Sequence, residues 1–133
     1  MIRKKLLKFT AIAFFGVMST GITAFAETGE FDFSIPAGGT AWSSILEKAD
    51  SEQNWYCTPT FFALRQGDYV KCTVYSSDKS ISYTSKNISD TQRHKIAYSA
   101  SKPAKAAKKY VLRGKGPADK TTGGVSLSGR WTP

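Results

Sequence analysis

The sequence predicts an all-β protein, a small antiparallel β-sandwich or barrel of seven to eight strands that follows a cleaved helical signal peptide. Three observations predict it. Short segments alternate apolar and polar residues with period two, the mark of half-buried strands. Turn-forming residues separate these segments at short intervals. Serine, threonine, tyrosine and glycine dominate beyond the N-terminus, while leucine, so common in helical cores, is scarce. No internal repeat is present.

The N-terminus is a different kind of segment. Arg3, Lys4, Lys5 and Lys8 form a positive region, an apolar stretch runs from Phe9 to Val17, and Ala24-Phe25-Ala26 has the form that a signal peptidase accepts. Cleavage is therefore expected before Glu27, leaving residues 27–133 as a single secreted β domain. An uncleaved anchor would need an apolar run of ~20 residues, longer than this one.

Glu30 to Ile35 alternates without error and ends at Pro36-Ala37-Gly38-Gly39. Thr40 to Lys48 fits either a helical face or a strand, and strand is preferred. Asp50-Ser51-Glu52 is a polar loop. Asn54 to Thr58 suits a pleated surface, and Pro59 is expected to close it, because proline cannot donate to an interior ladder. Phe61-Phe62-Ala63-Leu64 lacks alternation and is read as a connection over the core, leaving through a turn at Gln66-Gly67-Asp68.

Tyr69 to Tyr75 is the clearest strand, with Val70, Cys72 and Val74 on one face and Tyr69, Lys71, Thr73 and Tyr75 on the other. Ser80–Thr84 and Lys95–Ser99 are further strands, joined by a polar connection. Residues 102–108 carry helix signals, but only Ala104 and Ala107 would face a core before Tyr110, so an exposed loop is preferred to a short surface helix. Lys109–Arg113 is then a strand. The last strand is Val125–Trp131, with Val125, Leu127 and Trp131 on one side.

Cys57 and Cys72 are the only cysteines, and an even count in an exported chain argues for a disulfide. A tight hairpin at Gln66-Gly67 would leave the sulfurs about 13 Å out of register, beyond the ~7 Å that bridged Cα atoms allow. The bridge therefore needs a wide connection or strands on facing sheets. Its contribution would be structural, on the order of 3 kcal/mol.

Charge is unevenly distributed. After cleavage fifteen basic residues face ten acidic ones; residues 27–90 are net −4, while residues 91–133 carry ten bases against Asp119 alone. Two readings stand: a cationic patch that attracts wall polymer, anionic lipid or nucleic acid, or a β-fold that interleaves the halves so that opposite charges pair across strands. Lys102, Lys105, Lys108, Lys109, Arg113 and Lys115, with Tyr110 beside them, form the candidate anion-binding loop. A solubility role for that loop is the alternative.

No catalytic, cofactor or metal site is expected. His94 is the sole histidine, set between Arg93 and Lys95, and is expected at the surface. No serine sits in a G-x-S-x-G elbow. Glu30 with Asp32, and Asp50 with Glu52, have the spacing of paired carboxylates but read better as solvated edge charges. Two cysteines with fourteen residues between them and one histidine do not supply a four-ligand metal site. Gly114-Lys115-Gly116-Pro117 and Lys120-Thr121-Thr122-Gly123-Gly124 contain pieces of a phosphate loop without its order, and read as turns. Asn87-Ile88-Ser89 matches a glycosylation sequon.

Phe31-Asp32-Phe33, Trp55-Tyr56-Cys57-Thr58-Pro59-Thr60, Tyr110-Val111-Leu112-Arg113-Gly114 and Ser128-Gly129-Arg130-Trp131-Thr132-Pro133 together resemble small uncharacterised exported proteins of Gram-positive bacteria. The resemblance implies a β-rich fold and an extracellular location, and it transfers no catalytic residue; the cysteine pair lies outside it. The expected function is non-enzymatic binding, with an anionic cell-wall polymer or membrane surface as partner and nucleic acid the least favoured. A secreted bacteriocin-like antimicrobial protein is the alternative. A hydrolase would require His94 grouped with an acid and a serine in one cleft.

Overall fold

The computed structural model describes residues 28–64, 67–116 and 124–133. The expected signal peptide, Gln66, and the stretch from Pro117 to Gly123 lie outside the described residues.

Period-two alternation produces the architecture directly. Nine strands form: β1 (Gly29–Ile35), β2 (Thr40–Trp42), β3 (Leu46–Glu47), β4 (Asn54–Ala63), β5 (Val70–Ser76), β6 (Ser82–Ile88), β7 (His94–Ala97), β8 (Lys109–Lys115) and β9 (Val125–Thr132). All pairings are antiparallel, and no helix occurs among the described residues. One sheet has the order β1-β9-β4-β7; the other has the order β2-β8-β5-β6, with β3 also paired to β8. The inward residues of both sheets, among them Phe33, Trp55, Val74, Leu112, Leu127 and Trp131, meet in one core. A hydrogen bond crosses it, from Trp55 Nε1 in the first sheet to Thr84 Oγ1 in the second, at 2.8 Å.

Several expectations are corrected. The strand number is nine rather than seven to eight, because the Thr40–Lys48 segment divides in two. At the break Ser43 substitutes for the ladder: its N–H donates to Leu112 O at 2.8 Å, and its hydroxyl oxygen accepts from Leu112 N at 2.9 Å. β4 does not close at Pro59 but continues through Ala63, so Phe61-Phe62-Ala63 is strand and not connection. Two features explain it. β7 pairs with β4 only from Asn54 to Cys57, so a missing N–H at Pro59 costs no bond to β7. A bulge between Pro59 and Phe61 then absorbs one residue and restores pairing with β9. β6 likewise extends over the polar Ser85-Lys86-Asn87 to Ile88, fully buried opposite Val70, because an edge strand tolerates polar residues between anchors. Gly114-Lys115, expected in a turn, ends β8 instead.

The stretch between β7 and β8 contains no helix. Gln53 takes both main-chain groups of Ala104, donating to its carbonyl at 2.8 Å and accepting from its N–H at 3.0 Å. The Tyr110 hydroxyl accepts from Lys105 N at 2.8 Å. Donors that a helix would use are thereby committed elsewhere.

Cys57 and Cys72 lie on facing sheets, one of the two arrangements that the sequence left open for them. The expected disulfide is nevertheless corrected: both are free, and both are buried. The two thiols hydrogen-bond, and that bond together with burial holds Cys72 well above the usual thiol range. The thiolate that would begin disulfide exchange is thereby suppressed.

Candidate functional site: a cationic and aromatic sheet face

β8 carries half of the basic residues singled out in the sequence. Its inward residues are Tyr110 and Leu112, both in the core, and Gly114, where an added Cβ would lie 2.4 Å from the Phe33 ring. Alternation then sends Lys109, Val111, Arg113 and Lys115 to the outer face. Antiparallel pairing with β5 sets Lys71 opposite Lys115, Thr73 opposite Arg113 and Tyr75 opposite Val111. On the other side of β8, Trp42 lies opposite Arg113 and Glu47 opposite Lys109.

The aromatic residues organise these cations. Trp42 and Tyr75 meet edge to face with ring centroids 5.1 Å apart. The Arg113 guanidinium lies over the Tyr75 ring at 4.9 Å, and Lys79 Nζ lies over Trp42 at 4.6 Å. Stacking of this kind fixes a guanidinium plane without consuming its N–H donors. Arg113 Nε is buried and has no hydrogen-bond partner among the described residues. Thr73 and Ser85 add a pair of hydroxyls joined at 2.8 Å.

Lys71 opposite Lys115 is the unusual feature, since like charges directly across a ladder oppose folding. Elsewhere the expected interleaving of acidic and basic halves does occur, with Glu30 opposite Arg130 and Glu47 opposite Lys109. At the Lys71 end of β8 it does not.

The six basic residues named from the sequence therefore divide. Lys109, Arg113 and Lys115 line the sheet face. Lys102, Lys105 and Lys108 lie exposed in the β7–β8 connection, with Lys102 Nζ donating to Ser82 O at 2.6 Å. Tyr110, expected beside the loop, is buried in the core. Lys71, Lys79, Trp42 and Tyr75 were not grouped with the site from the sequence. Lys71 and Tyr75 were already placed on one face of β5, so knowledge of the β5–β8 pairing alone would have added them.

Other candidates resolve as follows. His94 is half-buried and shares a 2.7 Å hydrogen bond with Asp90, and no serine is among its hydrogen-bond partners in the described residues. Asp90 is lowered by the Gln92 backbone N–H and by His94. Asp50 bonds to Lys48 and to the backbone N–H of Glu52. Lys48 was not anticipated at all: it is fully buried, donates to Asp50 Oδ1 at 3.3 Å and to the main-chain oxygen of Pro133 at 3.2 Å, and lies 5.5 Å from the Tyr98 ring centroid. Among the described residues no three of His, Cys, Asp and Glu come together as a metal site would require.

Comparison of the chain with protein-family models, with curated proteins and with solved structures finds no match.

Proposed function

We propose that this chain is an exported, non-enzymatic protein of the small Gram-positive type, which binds anionic polymer of the cell envelope on the outer face of the β2-β8-β5-β6 sheet. One observation carries the reading: Lys71 and Lys115 stand directly opposed, beside Arg113 on the same face. Such an arrangement costs stability in the free protein, and a bound polyanion would offset that cost. Tyr75 and Trp42 hold Arg113 and Lys79 in place, so these two side chains lose little entropy on binding. The export signal read at residues 1–26 and the cationic second half of the sequence support the same location and partner.

Retention on purified cell wall across a salt series tests it. Replacing Lys71, Arg113 and Lys115 together by Gln is expected to lower retention roughly tenfold at about 0.15 M salt, and wild-type retention should fall as salt rises. Replacing Lys102, Lys105 and Lys108 by Gln should change it by less than roughly twofold, in keeping with their loop position. Equal retention of the wild type and the sheet-face variant would refute the proposal.

A further inference from the structure

The other sheet carries a separate concavity. Where β4 begins and β9 ends, a cleft of about 390 Å³ opens on the outer side of the β1-β9-β4-β7 sheet. That volume lies within the ~300–1,000 Å³ of ordinary small-molecule sites. Its polar lining includes Thr28, Glu52, Tyr56, Arg93, Arg130 and Thr132. Sequence reasoning grouped none of them, because they come from four separate stretches of the chain.

The groups are arranged in a definite way. The Arg93 guanidinium lies 4.3 Å from the centre of the Tyr56 ring, so its plane is set before any ligand arrives. Tyr56 in turn is anchored, its hydroxyl donating to Glu52 Oε2. Asn54 Nδ2 donates to the same oxygen at 3.4 Å, and Glu52 Oε1 takes neither bond. Thr28 and Thr132 face each other with hydroxyls 2.7 Å apart, and either can donate. Arg130 is exposed on β9, opposite Thr58 on one side and Glu30 on the other.

These donors and acceptors are of two kinds. The guanidiniums offer planar forks suited to a carboxylate, which a point charge such as lysine does not match. Glu52 and the two threonines offer acceptors and donors suited to hydroxyl groups. A ligand that is only an anion would leave the second set unused; a neutral sugar would leave the guanidinium charges and their bidentate forks unmatched. Arg130 also lines a neighbouring depression of about 550 Å³ that includes Asp32 and Ser128, joined by a 2.7 Å hydrogen bond. The surface thus continues past Arg130 with further hydroxyl-binding groups.

We infer that the cleft between the start of β4 and the end of β9 is a saccharide site that takes a carboxylate-bearing sugar, with Arg93 and Arg130 on the carboxylate and Glu52, Thr28 and Thr132 on the ring hydroxyls. This site is on the opposite sheet from the polymer-binding face and does not rest on it.

The test is titration of the full chain with sodium glucuronate, methyl glucoside and inorganic phosphate, followed by NMR of the arginine Nε–H groups and the β4 and β9 amides. Glucuronate is expected to saturate, moving the Arg93 and Arg130 signals, and to bind roughly tenfold more tightly than either other probe. Arg93→Gln with Arg130→Gln should weaken glucuronate by roughly tenfold or more. Both arginines are exposed, so an unchanged melting temperature is expected alongside. The Lys71, Arg113 and Lys115 variant should bind glucuronate normally, which separates this site from cell-wall retention. Phosphate binding as tightly as glucuronate would make the cleft an unselective cationic surface and overturn the inference. So would the absence of saturable binding, or loss of glucuronate binding in the sheet-face variant alone.

Discussion

Asp78 shows how far a single exposed carboxylate is shifted by local hydrogen bonds. Its Oδ1 accepts from Ser76 Oγ at 2.6 Å, Ser80 Oγ at 2.7 Å and Ser80 N at 3.0 Å, in the turn joining β5 to β6. The Ser76 hydroxyl, then the hydroxyl and backbone N–H of Ser80, lower its pKa from 3.8 to about 2. Because the folded value is depressed, this turn's contribution is complete above the unfolded pKa and is lost as pH falls through about 2. A carboxyl NMR titration should find the midpoint near 2, and Ser76→Ala with Ser80→Ala should return it toward the ordinary value. Gly129 makes a second residue-scale case. An added Cβ there would lie 2.4 Å from Thr58 O and 2.5 Å from Pro59 Cα, both backbone atoms that cannot swing aside. Urea denaturation of Gly129→Ala should therefore show a loss of about 2–4 kcal/mol. Gly114→Ala, where the obstacle is the Phe33 side chain, should cost less.

Among the elements, β8 is the one on which both stability and the proposed function depend. It pairs with β2, β3 and β5, supplies Tyr110 and Leu112 to the core, and turns Lys109, Arg113 and Lys115 outward. Relieving the opposed lysines should separate the two roles. Lys71→Glu places opposite charges across the β5–β8 ladder and is expected to raise stability by about 0.2–1 kcal/mol. The same change should weaken retention on cell wall, measured beside the denaturation midpoint. Loss of stability in this variant would count against the idea that the free protein bears a like-charge cost. β8 was legible in the sequence because Tyr110-Val111-Leu112 is a short apolar, strand-favouring run bounded by Lys109 and Arg113. β4 was legible only as far as Thr58, since a proline followed by two phenylalanines breaks the period, and the bulge that reconciles them depends on the partner strand β9.

At the scale of the whole molecule, the two sheets close over Cys57 and Cys72, neither of which has any exposed surface. Thiol reagents are expected to find no reactive group in the native protein. Two thiols per chain should appear on denaturation, both at the rate of global opening, because each lies on a strand paired on both sides within its sheet. Rapid labelling under native conditions would contradict the packing described. Pairing of β1 with β9 adds a kinetic consequence. Strands from opposite ends of the described chain must meet, so folding belongs to the slow range of milliseconds to seconds typical of non-local β topologies.

The sequence by itself determined the class of fold and the inward faces of β1, β5 and β9, and it favoured a loop over a short helix between β7 and β8. Those features follow from alternation and from helix burial, which are local in the chain. Tertiary structure alone decided which strands lie side by side, and with that nearly everything functional. Pairing of β5 with β8 set Lys71 against Lys115. Convergence of Thr28, Glu52, Tyr56, Arg93, Arg130 and Thr132 made the cleft. Packing of one sheet on the other brought the cysteines together as buried thiols. Alternation fixes which way a side chain faces, but it carries no record of the strand that will lie beside it.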